Sequence, residues 1–253
     1  MTSVVLSVVI FVCLFGAALL GMLLRTHLPD EHLTAESRDV IKLATAVVGT
    51  LSALVLGLLI ASAKSDYDGA ELDLRASAGH LVLLDRVMAQ YGPETQEART
   101  RLKQLVIARL DQRWGDFDIG ARADNSRVDP GIEPVQEILR SLTPKTDAQH
   151  WLQTRALDVS GKLAEAHWLL VETGEEGLPW PFLIVMAFWL AVLFATFGLF
   201  APGNSTVVLV LLVCSLSVAG AVFLIVDLAN PYLGLIYISD APLRDALEEL
   251  GRS

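Results

Sequence analysis

Cysteine is scarce in this chain: there are two, Cys13 and Cys214, and both fall inside long apolar runs. The polar middle has none, which excludes a disulfide framework, a zinc site or a CxxC redox pair there. Both thiols read as small packing residues. Catalytic signatures are missing too. No GxSxG, Walker loop, HExxH, GxGxxG phosphate loop or Cys/His pair occurs, so the chain is not expected to be an enzyme and no cofactor is implied. Positive charge is also in deficit. A formal net charge of −10 argues against a nucleic-acid partner, which would ask for a basic stripe, and against a polybasic patch for lipid headgroups. The charge reads as a solvated acidic surface.

Charge of either sign is absent from four stretches of about twenty residues, Val4–Leu24, Leu43–Ala63, Pro181–Phe200 and Val207–Val226. A bilayer core roughly 30 Å thick is crossed by about 20 apolar residues in a helix. Lipid offers no partners to backbone N–H and C=O groups, so a helix is the natural spanning form. Apolar residues make up 53% of the chain, above the 45–50% of ordinary soluble domains. The expectation is an all-α polytopic membrane protein, arranged as spans one and two (1–63), a polar helical block (64–180), spans three and four (181–228) and a tail with a short helix (229–253). The first seven residues hold no Lys or Arg, and the apolar run after them is long for a cleaved leader, so Val4–Leu24 reads as a retained span.

Four spans place both termini and the 64–180 block on one side. Arg25, Arg38 and Lys42 lie in the first loop; Lys64, Arg75, Lys162 and Arg244 lie opposite. Three against four gives no orientation by the positive-inside rule.

Proline does not occur between Thr34 and Gly92. The second span is therefore read as part of a much longer helix, from Glu36 to about Gln90 and about 80 Å long, stopped at Gly92-Pro93. Its outer part carries an apolar stripe at Leu74, Ala78, Leu81, Leu84, Met88 and Tyr91, the a/d spacing of packed helices. Thr95–Trp114 reads as a helix with Leu102, Leu105 and Val106 on one side. Residues 115–134 read as a loop, Pro134–Leu142 as a short helix. Asp147–Val171 reads as a strong helix with a second stripe at Leu152, Ala156, Val159, Leu163, Ala166 and Leu170. A final helix is predicted from Ser239 or Asp240, plausible N-caps, with Leu243, Leu247 and Leu250 on its apolar edge.

The second span carries the candidate site. Gly49, Ala53, Gly57 and Ala61 recur every fourth residue, a small-xxx-small ridge of the kind that lets helix backbones approach in lipid. A different face holds Arg38, Thr45, Ser52 and Leu59, which drift by about 20° per seven residues, with Leu56 and Lys42 close by. Arranged around a symmetry axis, this face gives a cation-rimmed entrance at Arg38 and Lys42, polar lining at Thr45 and Ser52, and an apolar gate at Leu56 and Leu59, a sensible ion path. Thr and Ser bonding the i−4 carbonyl, with Arg and Lys anchoring a helix end, is the alternative reading of the same pattern. Asp66 and Asp73 continue near this face, so charge counting leaves the sign of a permeant ion open. His27-Leu-Pro-Asp-Glu-His32 and the aspartates 116, 118, 124 and 129 lack metal-site spacing and read as solvated loops; no metal is expected. Lone His80 and His167 read as neutral imidazoles, Asp227 as a residue at the membrane boundary.

Six stretches, EHLTAESRDVIK (31–42), LVLGLLIASAKS (54–65), LLDRVMAQYGPE (83–94), FWLAVLFATFGLFAPGN (188–204), CSLSVAGAVFLIVDL (214–228) and ISDAPLRDAL (238–247), resemble the bacterial bestrophin-like membrane proteins. They touch nearly every element except 115–150. The resemblance implies a homo-oligomer, a pentamer in the bestrophins proper, that passes small inorganic ions, chloride above all. It also implies a bacterial inner-membrane location with both termini and residues 64–180 in the cytoplasm, and a pore lined by the second span. The aromatic neck of those channels has no counterpart in residues 43–63. A non-conducting scaffold, with the 64–180 bundle binding a cytoplasmic partner, is the other expectation.

Overall fold

The structure, a computed structural model, describes residues 2–27, 34–114, 131–173, 180–232 and 234–250. Its helices are α1 (Thr2–His27), α2 (Ala35–Tyr91), α3 (Gln96–Trp114), α4 (Glu133–Ser141), α5 (Asp147–Thr173), α6 (Trp180–Phe200), α7 (Ser205–Leu228) and α8 (Ala241–Glu249), with a short 3₁₀ turn at Pro93–Thr95. No strand occurs among the described residues. α1, α2, α6 and α7 are each long and apolar enough to cross a membrane. The protein is an all-α membrane protein.

The chain divides into two compact units, Met1–Asp68 with Gly177–Tyr237 and Gly69–Glu176 with Ile238–Ser253. The tail is shared between the units, with the change after Tyr237.

In the first unit the core is apolar and drawn from three spans: Ile10, Leu14 and Ala18 of α1, Leu183, Met186, Leu190, Leu193 and Phe194 of α6, and Leu211, Val222 and Val226 of α7. Large apolar side chains also point outward, among them Val8, Val12 and Leu20 of α1, Phe182 and Phe188 of α6, and Leu209, Val213 and Leu216 of α7. A water-soluble bundle would not show so large an apolar surface; lipid is the solvent that accepts it. α1 and α6 interlock most closely. A Cβ on Gly21 would stand 2.0 Å from the Ala195 carbonyl oxygen, and one on Gly198 would stand 1.9 Å from that of Ala18. The backbones meet at these glycines, as small residues permit in lipid. The Arg25 guanidinium at the end of α1 donates to the Ala201 carbonyl just past α6, where the helix end leaves carbonyls without partners.

The second unit is a helical bundle. Leu74, Ala78, Leu81, Leu84, Met88 and Tyr91 of α2 are all buried, as are Leu102, Leu105 and Val106 of α3 and Leu152, Ala156, Val159 and Leu163 of α5. These are the stripes that sequence periodicity predicts. Ala166 is half-buried, and the side chain of Leu170 lies outside those described. α2 stops at Gly92, whose φ of 133° lies in the left-handed region that glycine favours. Pro93 follows, and the Thr95 hydroxyl donates back to the Met88 carbonyl at 2.6 Å. Burial, and then the Glu94 charge, raise the pKa of the Tyr91 phenol.

One polar feature interrupts the α2 stripe. Asp85, buried, takes a two-pronged hydrogen bond from Arg99 of α3, Nε to Oδ1 at 2.7 Å and Nη2 to Oδ2 at 3.0 Å. The bond to Asp85 is also the main reason the guanidinium pKa lies above its ordinary value. A buried carboxylate needs such a partner. α8 buries Leu243 and Leu250, with Leu247 half-buried. Asp240 sits at its N-cap position but makes no capping bond; the Ser239 hydroxyl accepts the Ala241 N–H instead, at 3.2 Å.

Candidate pore helix

The membrane part of α2 differs from the other spans in how little its own chain covers it. Only 6% of its apolar window is buried, against 22%, 33% and 28% for α1, α6 and α7. What cover exists falls on one side. Val48, Leu56 and Leu59 pack against the core of α1, α6 and α7. Ser52, on the same side, is 2% exposed. Thr45 is half-buried, and its hydroxyl donates to the Ile41 carbonyl at 2.7 Å. The face that the sequence marks as polar lining and gate, Thr45, Ser52, Leu56 and Leu59, is therefore the face by which the helix leans on its own bundle. Ser52 is small enough to let the helix settle there. Leu56 and Leu59 are held there by van der Waals packing, since lipid supplies no hydrophobic drive between helices.

Ser52 is held there at a cost. Its Oγ is buried with no hydrogen-bond partner, although the i−4 carbonyl of Val48 is the usual acceptor for a helical serine. A buried hydroxyl without a partner loses about 1 kcal/mol or more. Ser52→Ala is therefore expected to raise the thermal unfolding midpoint of the purified protein slightly, by about 1 kcal/mol of stability, and to leave ion flux unchanged. A lowered midpoint would mean the hydroxyl has a partner after all.

The opposite side of the span is open. Leu43, Val47, Leu54 and Leu58 are exposed, as are Thr50, Ala53, Gly57 and Ala61. Of the two glycines in the small-residue ridge, Gly49 meets a neighbour, with Leu193 Cδ2 3.7 Å from where a Cβ would stand, whereas no described residue comes within 4 Å at Gly57. Arg38 and Lys42 are exposed at the start of the helix. Lys42 Nζ lies 3.9 Å from Asp39, a loose pair between two exposed side chains.

A family model described as the bestrophin-like domain matches residues 12–243. The chain belongs to the bestrophin-like family. The match runs from within α1 to the start of α8, and takes in α2, α6 and α7 whole. No curated protein and no solved structure matches this bestrophin-like chain.

Other residues marked in the sequence fall into place around this helix. His27 closes α1, exposed, with Nδ1 3.1 Å from the Leu23 carbonyl. The rest of that loop, 28–33, and the aspartates 116, 118, 124 and 129 lie outside the described residues. His80 is half-buried. His167 is buried, its Nδ1 3.3 Å from Arg109 Nη2. No group of three or more metal-ligating side chains occurs among the described residues.

Asp227, read as a residue at the membrane boundary, stands at the end of α7 and is fully buried. It accepts hydrogen bonds from the Ser3 hydroxyl at 2.8 Å and from the backbone N–H groups of Leu235 at 3.1 Å and Ile236 at 2.8 Å. Gly234 allows the chain to pass: a Cβ there would stand 2.8 Å from the Asp227 carboxyl carbon. One carboxylate thus ties the start of α1 to the end of α7 and to the turn that follows.

Proposed function

We propose that this bestrophin-like protein is an oligomeric ion channel of the bacterial inner membrane, anion-conducting and built around α2. The observation that supports it is the open flank of α2 in a span otherwise poorly covered by its own chain. A membrane helix in that state gains most by packing against copies of itself. The exposed ridge at Ala53 and Gly57 offers close backbone contact for that purpose. With Thr45, Ser52, Leu56 and Leu59 turned to the subunit's own bundle, the lining passes to the exposed side. Leu43, Val47, Leu54 and Ala61, separated by steps of four and seven, fall within about 40° of one another at 100° per residue. Such rings form an apolar constriction of the kind that gates by dewetting. Arg38 and Lys42 fall more than about 90° from that lining at 100° per residue, so the preference for anions rests on the likeness to the bestrophin channels. Five copies, both termini and residues 64–180 in the cytoplasm are what the bestrophin channels would lend to this arrangement. Flux of this kind needs no catalytic residue.

The test is direct. Purified protein in liposomes is expected to pass chloride down a KCl gradient and to pass much less when gluconate replaces chloride. Absence of flux under both anions, with the protein oligomeric and folded, removes the channel. Trp151, on α5 in the second unit and 64% exposed, favours a second reading, a membrane-anchored platform whose helical block holds a cytoplasmic partner. That reading survives a protein that does not conduct; the channel does not.

A further inference from the structure

A groove of about 560 Å³ opens among α2, α6 and α7, walled by Thr45, Gly49, Leu193, Thr196, Phe197 and Val210, with Lys42 at one end. Each helix is one of the apolar spans, so the groove lies at membrane depth. Its walls offer nothing to a polar solute. The Thr45 hydroxyl donates to the Ile41 carbonyl and the Thr196 hydroxyl to the Val192 carbonyl, at 2.7 and 2.8 Å, so both are satisfied within their own helices. The charged end is different. Lys42 lines it with an exposed ammonium whose acidic neighbour, Asp39, stands at 3.9 Å. Ala201 also lines the groove, and its carbonyl receives the Arg25 guanidinium, which brings a second cation to the groove wall.

We infer that this groove binds one acyl chain of an anionic phospholipid, with the phosphate-bearing headgroup held by Lys42 and Arg25. The volume lies in the range of small-molecule sites, about 300–1,000 Å³. Along α2 the groove runs from Lys42 to Gly49, about 10 Å at 1.5 Å per residue. That depth suits a tail entering one leaflet of a core about 30 Å thick. A membrane-crossing helix from a second copy would need a trough along the whole span. Net negative charge on the protein does not oppose the site, because the headgroup meets two local cations, and screening confines the field to about 10 Å.

The site is tested on the full-length purified protein by native mass spectrometry, with equimolar dioleoyl phosphatidylglycerol and dioleoyl phosphatidylcholine competing. Phosphatidylglycerol is expected to be retained preferentially. Lys42→Glu is expected to reduce that preference about tenfold, the scale of one to two surface charges against an anionic headgroup, with Lys42→Gln intermediate. Val210→Trp, at an exposed position on the groove wall, should remove both lipids. Lys42→Gln and Val210→Trp are read only where the thermal midpoint matches the wild type, and Ala46→Trp is the substitute if Val210→Trp does not fold. Equal retention of both lipids, unaltered by Lys42→Glu, overturns the inference. So does displacement by glycerol 3-phosphate alone, which would make this a phosphate site without a tail. Quantitative disulfide formation between copies through Val210→Cys, in a background lacking Cys13 and Cys214, also overturns it by placing a second copy in the groove. Retention of lipid does not depend on whether ions pass, so this inference and the channel stand or fall separately.

Discussion

Leu54→Asn is expected to raise chloride flux about tenfold over wild type, while Leu59→Ala changes it by less than twofold. The contrast follows from the two sides of α2. Leu54 is 62% exposed on the uncovered flank, in the middle of the proposed apolar rings. Leu59 packs against the chain's own core. In a narrow apolar passage the barrier is loss of water, and one polar side chain per subunit rewets it. Removing about 1.4 kcal/mol of barrier is a factor of ten in rate. Stopped-flow chloride efflux from liposomes of matched protein content reads both variants. The reverse ranking, with Leu59→Ala opening the path, would turn the helix by about 140° from the arrangement proposed.

Asp227→Ala should cost about 3 kcal/mol of stability. Three donors converge on a carboxylate with no solvent exposure. Hydrogen bonds to a charged group are worth about 1.5–3 kcal/mol each, and their sum is reduced because the exposed turn can rehydrate its N–H groups. For a chain of this length 3 kcal/mol is about 10 °C in the unfolding midpoint. Asp227→Asn keeps one acceptor but sets an amide donor against a backbone donor, and about half the loss is expected. Chymotryptic cleavage at Tyr237 should accelerate in both variants, because the turn at Leu235 and Ile236 loses its anchor. An unshifted midpoint together with unchanged cleavage would strip Asp227 of this role.

The architecture was readable because it depends on local patterns. Uncharged runs mark the spans, and 3–4 spacing marks the buried stripes at Leu74–Tyr91 and Leu152–Leu163. A single Gly-Pro pair marks the end of α2. What periodicity does not carry is which side of an apolar helix its neighbours choose. Thr45 and Ser52 stand out as polar, yet a hydroxyl can be satisfied on its own helix, and a serine is small enough to pack. The side of α2 turned inward is set by the shape of α1, α6 and α7, not by hydropathy. The partners of Asp227 were not legible for a related reason. Its donors are a serine 224 residues away and two backbone N–H groups, and backbone donors leave no mark in the sequence. The glycine ridge on α2 drew notice, while the closest backbone approach lies between α1 and α6, at Gly21 and Gly198. The small residues around them, Ala17, Ala18 and Ala195, were a usable signal.

The glycine-to-carbonyl approach of α1 and α6 has a mechanical consequence. Two backbones locked against each other at Gly21 and Gly198 have no clearance to slide or swivel, and Arg25 pins the same pair at its far end. α2 shows no such approach at its membrane glycines, Gly49 and Gly57, so α1 and α6 form the rigid pair on which the rest of the bundle is assembled.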